Sequence, residues 1–397
     1  MDLGFVAAIL VLGGIILFHE FGHFLFARIF GVGVVEFSVG FGPRLLSHLS
    51  RRSGTRYSLK LIPLGGSCAM LGELGEDEEE PAERERRTSA GTYEEWTAAK
   101  AGDEPANAGL YEGLPAAEEA EVKGASFLDK SPFARFCIIA AGPVFNFILA
   151  YVLAVVILSW AGYDAPILAG VTENQPAQAA GLQAGDVIKK IGNRNIHFSR
   201  DIQLYNLVTD GEPVEVLYER YEEETGQWKT LSAVLSPVNV SGQYYFGFQL
   251  EGYRRPVESI PDLLVCGVYE VQFWIRSVLD SLWLMVTGQV GGDEIAGPVR
   301  IVTIIDDTVE QNLSYGFVTV LMNLFNLTVM FSANLGVMNL IPIPALDGGR
   351  LVFILLEMIF RRPVNQKVEN ALILTGMAVL MTIMVFVLFN DIRYLLP

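Results

Sequence analysis

An apolar run of about thirty residues near the start of the chain, residues 3–32, most limits what the protein can fold into. A helix of about 20 apolar residues spans a bilayer and satisfies its backbone hydrogen bonds internally, as lipid requires. The run nevertheless contains His19, Glu20 and His23. Because ionisable side chains are costly to bury in a membrane, this cluster indicates a functional site at membrane depth.

The spacing of the two histidines suits a metal site. Residues four apart lie on one face of a helix, so His19 and His23 can bind one zinc ion while Glu20 activates metal-bound water. The alternative is a structural histidine that pairs with Glu20 inside the membrane. We favour the metal, because idle charges are rare in membrane helices. The motif therefore predicts a metalloprotease whose active site lies within the bilayer.

A second segment offers a third ligand, which a catalytic zinc site requires. Residues 339–349 (NLIPIPALDGG) follow another long apolar run, and Asp347 is an acid flanked by apolar sequence. Pro342 and Pro344 interrupt helical hydrogen bonding just before it. Such breaks are tolerated at membrane depth only where the freed backbone is buried in protein or lines a wet cavity. Asp347 can also serve as the N-cap of the following helix.

Length and hydropathy predict four membrane-spanning helices, at about residues 3–30, 136–160, 317–341 and 371–389. A further apolar stretch, residues 260–286, is interrupted by charges, and its apolar residues recur at helical spacing. This pattern predicts an amphipathic helix that lies on the membrane surface.

Taken together, HEFGH at residues 19–23 and NLIPIPALDGG at residues 339–349 resemble the site-2 protease family of intramembrane zinc metalloproteases. Residues 126–146, which end in a Gly-Pro-x-x-Asn element, resemble the family's second transmembrane segment. Residues 57–67 resemble its cytoplasmic β-loop. Residues 297–300 (GPVR) resemble its GPVG element, with arginine in place of the last glycine. The resemblance covers nearly the whole chain and is closest to bacterial members with one PDZ domain, of the regulator of sigma-factor protease type.

The resemblance implies a zinc ion, Zn2+, held by His19, His23 and Asp347, with Glu20 as the catalytic general base and acid. It also implies substrates that are single-span membrane proteins, such as anti-sigma factors or remnant signal peptides. These would already be shortened on the outer side by a site-1 protease.

Two polar residues on apolar helices, Asn146 and Asn339, lie near the two motifs. By resemblance they hold the substrate backbone or the developing oxyanion. Alternatively, they satisfy carbonyl groups that Pro143 and Pro342 leave free.

The predicted fold is a polytopic α-helical membrane protein with about four transmembrane helices, a cytoplasmic β-loop and an inserted extracytoplasmic PDZ domain. Its segments are a first transmembrane helix (1–33), a membrane-associated β-loop (34–72), an acidic flexible cytoplasmic loop (73–125), a second transmembrane helix (126–162), the PDZ domain (163–252), an amphipathic interfacial helix (253–292), a linker (293–316), a third transmembrane helix with the LDGG loop (317–361) and a fourth transmembrane helix (362–397). The PDZ domain either accepts an extended chain end by strand addition or acts as a rigid steric filter, and the sequence favours neither.

Charge is distributed unevenly along the chain. Residues 73–123 hold 16 acidic and 5 basic residues, which accounts for most of the net charge of −17 and predicts a solvated spacer. This acidity argues against nucleic acid as a partner. Basic residues follow the first span at 44–60 and precede the fourth at 361–367, so both loops should be cytoplasmic. We therefore expect a multi-pass protein of a bacterial inner (cytoplasmic) membrane, with the lipid bilayer itself as a partner.

Two other functional classes compete with the protease. A catalytically silent metal-binding receptor could use the PDZ domain to bind partners, but the presence of Glu20 argues against it. A metal transporter would need a second polar pathway through the membrane, and four spans with one metal site do not offer one.

Overall fold

The computed structural model describes residues 3–73, 122–240, 242–291 and 296–395, so most of the predicted acidic loop lies outside the described residues. In chain order the elements are α1 (Leu3–Ile29), β1 (Val34–Leu49), β2 (Arg56–Met70), α2 (Pro132–Ala161), β3 (Leu168–Val171), α3 (Pro176–Ala179), β4 (Val187–Ile191), β5 (Arg194–Asn195), α4 (Ser199–Val208), β6 (Val214–Glu222), β7 (Gln227–Leu235), β8 (Val238–Val240), β9 (Gln243–Tyr245), β10 (Phe248–Leu250), α5 (Ile260–Val286), α6 (Pro298–Asn312), a 3-10 turn (Leu313–Tyr315), α7 (Phe317–Leu340), α8 (Asp347–Phe360) and α9 (Gln366–Leu395).

Four of these helices are long and apolar enough to cross a membrane: α1, α2, α7 and residues 371–393 of α9. At most 39% of the most apolar stretch of any of them is buried inside the protein, so much of each helix is left to face lipid. The prediction of a polytopic helical membrane protein is confirmed at this level.

The chain divides into two compact units. Residues 9–145 and 339–383 form the motif unit, which carries HEFGH and LDGG. Residues 1–8, 146–338 and 384–397 form the inserted-domain unit, which carries the predicted PDZ segment.

In the motif unit, β1 and β2 are longer than the predicted strands at residues 34–39 and 57–62, and they pair twice. Phe37 pairs with Cys68 on one side and with Tyr57 on the other. This double pairing requires β2 to reverse between residues 59 and 66, where Gly65 has a φ of 123° that favours glycine. The early part of β1 therefore lies between two stretches of β2.

A carboxylate on β1 ties the two strands together. Arg44 Nε donates to Glu36 at 3.0 Å, and Ser58 Oγ donates to it at 2.6 Å. Burial raises the pKa of Glu36, but these hydrogen bonds more than offset burial, and the pKa lies below its usual value.

The core of the motif unit lies beneath this hairpin. Buried apolar side chains from α1, β1, β2, α2 and α8 pack together there, among them Ala27, Val34, Met70, Ile138 and Leu351. This packing fixes the hairpin against the helices that carry the two motifs, so the motif positions do not depend on the membrane alone.

In the inserted-domain unit, residues 164–251 form a domain with its own core. A four-stranded sheet has the order β5-β4-β6-β7, and β3 pairs with β10 in a separate two-stranded sheet. Eleven buried residues from these strands, from α3 and α4 and from the loops between them form the core, including Ile188, Ile202, Val216 and Phe246. The assignment of this domain as a PDZ domain stays a prediction.

Helix α5 packs against this domain through ion pairs and aromatic rings. Arg194 donates to both carboxylate oxygens of Asp280, at 2.6 and 2.9 Å, and Arg200 donates to the buried Glu270. The Arg200 guanidinium also lies between the rings of Phe198 and Phe273, with its central carbon 4.6 and 4.5 Å from their centroids. Separation of such an ion pair would leave a buried charge without its partner, which costs free energy. Helix α5 and the domain therefore form one structural body.

The predicted apolar face of α5 does not form one continuous surface. Val271 is buried against α2 and α7, whereas Ile260, Leu264 and Val268 are exposed. Helix α5 is not one of the four candidate spans. Its placement on the membrane surface stays a prediction.

The prediction of a linker over residues 293–316 is wrong for most of that range, because α6 occupies it. The backbone N–H groups of Gly297, Val299 and Arg300 donate to the carboxylate of Asp391 on α9 at 3.0, 3.0 and 3.1 Å. The first N–H groups of a helix have no internal partner, so this carboxylate caps α6. The cap lies about ninety positions away in sequence, where local patterns cannot reveal it.

Candidate metal centre

The two motif histidines face each other one turn apart on α1. Both are buried, and their Nε2 atoms lie 3.2 Å apart. Their rings meet edge to face, with centroids 4.8 Å apart. A helix with hydrogen bonds four residues apart produces this juxtaposition directly, as the sequence predicts.

Asp347 reaches the same point from α8. Helix α7 ends at Leu340, before Pro342 and Pro344, and the backbone turns at Ala345, whose φ is 81°. Asp347 is the first residue of α8, and the N-cap is Leu346. The N-cap alternative for Asp347 is therefore wrong, and its side chain is available to the histidines instead.

Three oxygen and nitrogen atoms converge in the motif unit. Asp347 Oδ2 lies 3.2 Å from His19 Nε2 and 3.3 Å from His23 Nε2. In a tetrahedral zinc site with bonds of about 2.0 Å, neighbouring ligand atoms are about 3.3 Å apart. The three atoms therefore have the spacing of one face of such a tetrahedron, and each of the three residues can offer one ligand atom.

The hydrogen bond of His23 fixes which of its nitrogens can bind a metal. Nδ1 lies 2.9 Å from the carbonyl oxygen of Ile138 on α2. A carbonyl only accepts hydrogen bonds, so Nδ1 carries the proton, and Nε2 of the neutral ring presents a lone pair. That lone pair and the Asp347 carboxylate face the same point in the site, and a cation at that point relieves the repulsion between them. The site thus fits a metal ion on its own chemistry, and the Ile138 carbonyl orients the ligand.

Helix α2 approaches the histidines closely because residue 142 is glycine. A Cβ atom at Gly142 would lie 2.3 Å from His23 Nε2 and 2.7 Å from His19 Cε1. These distances are far inside van der Waals contact, so any side chain at 142 would displace both rings. The Gly-Pro element is visible in the sequence, but its contact with the histidines is not.

Glu20 lies beside the same cluster and touches the hairpin. A Cβ atom at Gly66 would lie 3.1 Å from Glu20 Cγ, so β2 packs directly on this side chain. The residue pattern does not reveal this contact, because Gly66 lies in a strand far from Glu20 in sequence.

Aromatic rings of the motif helix pack against rings of α2 and β1 in this unit. Phe18 and Phe21 lie 5.7 and 5.9 Å, centroid to centroid, from Phe145 on α2, and Phe24 lies 5.0 Å from Phe37 on β1. They form an apolar surrounding in which charge interactions are strong, because water is displaced.

An ion pair next to Asp347 links α8 to the end of β2. Arg350 donates to the carboxylate of Glu73, and the backbone N–H of Met70 donates to the same side chain at 3.1 Å. The first turn of α8, which carries Asp347, is therefore tied to the strand that contacts Glu20.

The two predicted asparagines lie in different units. Asn339 is partly buried near the end of α7 in the motif unit. Asn146 is fully buried in the inserted-domain unit, where its backbone carbonyl accepts a hydrogen bond from Ser332 Oγ at 2.8 Å. The structure thus brings together His19, His23 and Asp347, with Glu20 beside them, and the roles of both asparagines stay predictions.

Comparison with known proteins identifies a family for the chain. The sequence model of Peptidase family M50 matches residues 7–383, a range that contains both motifs. The chain is similar to zinc metalloprotease RasP of Bacillus licheniformis, with 32% identity over 432 aligned positions that cover 98% of this chain and 99% of the relative. It is also similar to zinc metalloprotease RasP of Geobacillus kaustophilus, with 29% identity, covering 98% and 97% of the two chains.

Proposed function

Because the chain belongs to peptidase family M50, we propose that it is a zinc-dependent intramembrane endopeptidase that cleaves transmembrane segments of single-span membrane proteins. One observation carries the proposal. The three ligand atoms of His19, His23 and Asp347 form a triangle with edges of 3.2–3.3 Å beside Glu20. The helix that carries the two histidines and Glu20 is apolar enough to span a membrane.

His19, His23 and Asp347 hold the zinc ion in this proposal. When bound, zinc supplies Lewis acidity that polarises a peptide carbonyl and lowers the pKa of water. Glu20 accepts the proton of the attacking water and returns it to the leaving nitrogen. Strand β2 packs on Glu20 at Gly66 and holds the carboxylate in position for both transfers. His23 keeps its metal-binding nitrogen free because Nδ1–H is committed to the Ile138 carbonyl.

The substrate must be extended where it is cut, because an intact helix shields its own peptide bonds. We propose that β2 offers a strand edge on which the unwound segment pairs. Support comes from the packing of β2 on the proposed general base, since a Cβ atom at Gly66 would lie 3.1 Å from Glu20 Cγ. Asn146 and Asn339 bind the substrate backbone or the oxyanion, or else satisfy backbone carbonyls near Pro143 and Pro342.

The substrate class, anti-sigma factors or remnant signal peptides trimmed by a site-1 protease, follows from the family resemblance. The inserted domain is proposed to be a PDZ domain on the outer side of a bacterial inner membrane, with the hairpin on the cytoplasmic side. It either delivers the substrate's chain end or excludes substrates with bulky outer domains.

Zinc analysis and cleavage of a reporter transmembrane peptide test the chemistry together. Wild type should hold about one zinc per chain. Glu20→Gln should keep that zinc and lose cleavage by about 100-fold or more, whereas Asp347→Ala should lose zinc as well. Glu310→Gln, an exposed position on α6, is the matched control and should behave as wild type. Full zinc occupancy and activity in Asp347→Ala would remove Asp347 from the site.

The two roles of the inserted domain can be separated by deletion of residues 164–251. The deletion leaves Glu270 and Asp280 on α5 without their arginine partners, so it should carry Glu270→Gln and Asp280→Asn. A full-length chain with these two substitutions alone is the control. If the domain is a steric filter, the deletion variant should cut a long substrate as fast as a trimmed one. Loss of cleavage of the trimmed substrate, with zinc retained, would instead indicate delivery by binding.

A further inference from the structure

A cavity of about 400 Å³ in the motif unit lies between the start of α2 and the end of α8. The residues that matter for its chemistry are Pro132, Phe133, Glu357, Met358, Arg361 and Arg362. It is separate from the metal ligands, and nothing in the proposed proteolysis uses it.

The cavity carries positive charge that the described part of the chain does not neutralise. Arg361 and Arg362 are exposed, and no ion pair with a described residue involves either of them. The one acid in the lining, Glu357, is paired with Arg135 at 2.5 Å. Arg361 also has a φ of 53°, an uncommon backbone conformation for arginine, which turns the chain at the end of α8.

The depth of the cavity follows from the lengths of the helices. Helix α2 has 30 residues, or about 45 Å, which is longer than a hydrocarbon core of about 30 Å, so its ends reach the headgroup layer. Arg361 and Arg362 come shortly before the fourth span, which begins at Ala371. Both sides of the cavity therefore lie at the membrane surface, on the side that basic residues mark as cytoplasmic.

The rim of the cavity is apolar. Pro132, Phe133 and Met358 line it, and Phe133 is 64% exposed, so a large apolar side chain beside the cavity is open to its surroundings. A soluble phosphate compound gains nothing from such a rim, whereas the acyl chains of a lipid do.

We propose that this cavity binds the phosphate headgroup of an anionic phospholipid, with Arg361 and Arg362 as the phosphate ligands and the apolar rim in contact with the acyl chains. Arginine suits phosphate because its planar donors can form paired hydrogen bonds with the oxygens. The lipid would occupy the junction between α2 and α8, the helices that carry Ile138 and Asp347 respectively.

The test compares two arginine pairs in the full-length protein by native mass spectrometry, in micelles with equal phosphatidylglycerol and phosphatidylcholine. Arg361→Gln/Arg362→Gln removes the proposed ligands, and Arg51→Gln/Arg52→Gln removes an exposed pair in the turn between β1 and β2. A basic residue near the membrane surface contributes ~1 kcal/mol to anionic lipid binding, so two correspond to roughly a 30-fold change in affinity.

We expect wild type and the Arg51/Arg52 variant to retain phosphatidylglycerol selectively, and the Arg361/Arg362 variant to lose that preference by about 30-fold while its thermal unfolding and zinc content stay unchanged. Equal loss of the phosphatidylglycerol preference in both arginine variants would show that the preference comes from general surface electrostatics, and it would overturn the proposed site. No preference in wild type overturns it too. Full competition by glycerophosphoglycerol, which lacks acyl chains, identifies a soluble phosphate site instead. A preference that appears only after residues 77–119 are deleted shows that the acidic segment is the occupant.

Discussion

Gly142→Ala should remove zinc binding although residue 142 is not a ligand. The added methyl group would lie 2.3 Å from His23 Nε2, 2.6 Å from His23 Cε1 and 2.7 Å from His19 Cε1. Non-bonded heavy atoms pack at about 3.5 Å or more, so the rings or α2 must move by about 1 Å. Metal sites tolerate ligand displacements of only about 0.2 Å.

The His23 ring has little room to escape. Its Nδ1 is held by the Ile138 carbonyl on α2, the same helix that carries residue 142. A shift of the ring away from the methyl group therefore breaks the hydrogen bond that fixes its tautomer. Loss of such an orienting contact alone weakens metal affinity by about 10–100-fold, and we expect at least the upper end of that range here.

Zinc retention against graded chelator concentrations is the assay, with thermal unfolding measured on the same samples. Overpacking should cost about 1–3 kcal/mol in stability, which a folded membrane protein can tolerate. The matched control is Gly14→Ala on α1, where a Cβ atom meets nothing within 4 Å. It should keep zinc affinity and cleavage. If Gly142→Ala holds zinc within twofold of wild type, the close approach of α2 is not what positions the histidines.

Three further predictions follow from the contacts and charges. Arg200→Met or Glu270→Met alone should destabilise the inserted-domain unit by about 3 kcal/mol, and the double variant by clearly less than their sum, measured by chemical unfolding. Glu36, whose pKa is lowered in the fold, stabilises the hairpin above the usual glutamate pKa of 4.5 and loses that effect as pH falls through its lowered pKa. Hydrogen exchange over residues 34–70, corrected for intrinsic rates, should therefore increase below that pH in wild type and much less in Glu36→Gln. In a cysteine-free chain, a cysteine at Asn239 should label in intact cells and one at Ser89 only after permeabilisation; the reverse would invert the topology.

The metal cluster was the most predictable part of the molecule, because its geometry is local. A four-residue spacing on a helix brings His19 and His23 together by helical geometry alone. Asp347 could be predicted as the third ligand because two prolines mark a break in the helix just before it and because LDGG resembles a known family motif. What the sequence does not show is the backbone partner of a ligand, such as the Ile138 carbonyl that holds His23, since every residue type has the same backbone carbonyl.

The parts that sequence reasoning missed depend on contacts between distant segments. Helix α6 was taken for a linker because its N-terminal cap, Asp391, lies on another helix. The apolar face of α5 was assigned to the membrane as a whole, although Val271 packs against α2 and α7. The strands of the hairpin were predicted too short because β1 pairs with two stretches of β2, which alternation within one strand cannot show.

The three Gly-Pro pairs of the chain show why such contacts are invisible to pattern reading. A Cβ atom at Gly142 would meet His23 Nε2 at 2.3 Å, and one at Gly297 would meet Asp391 Oδ2 at 2.5 Å. In both pairs the glycine therefore admits an ionisable side chain from another helix. Gly42, which precedes Pro43, meets nothing within 4 Å and instead has a φ of 86° that bends β1. At two positions the glycine of the pair lets another helix approach closely, and at the third it allows a backbone conformation that bends β1. The dipeptide is the same in all three, so its role depends on whether another helix packs against the glycine.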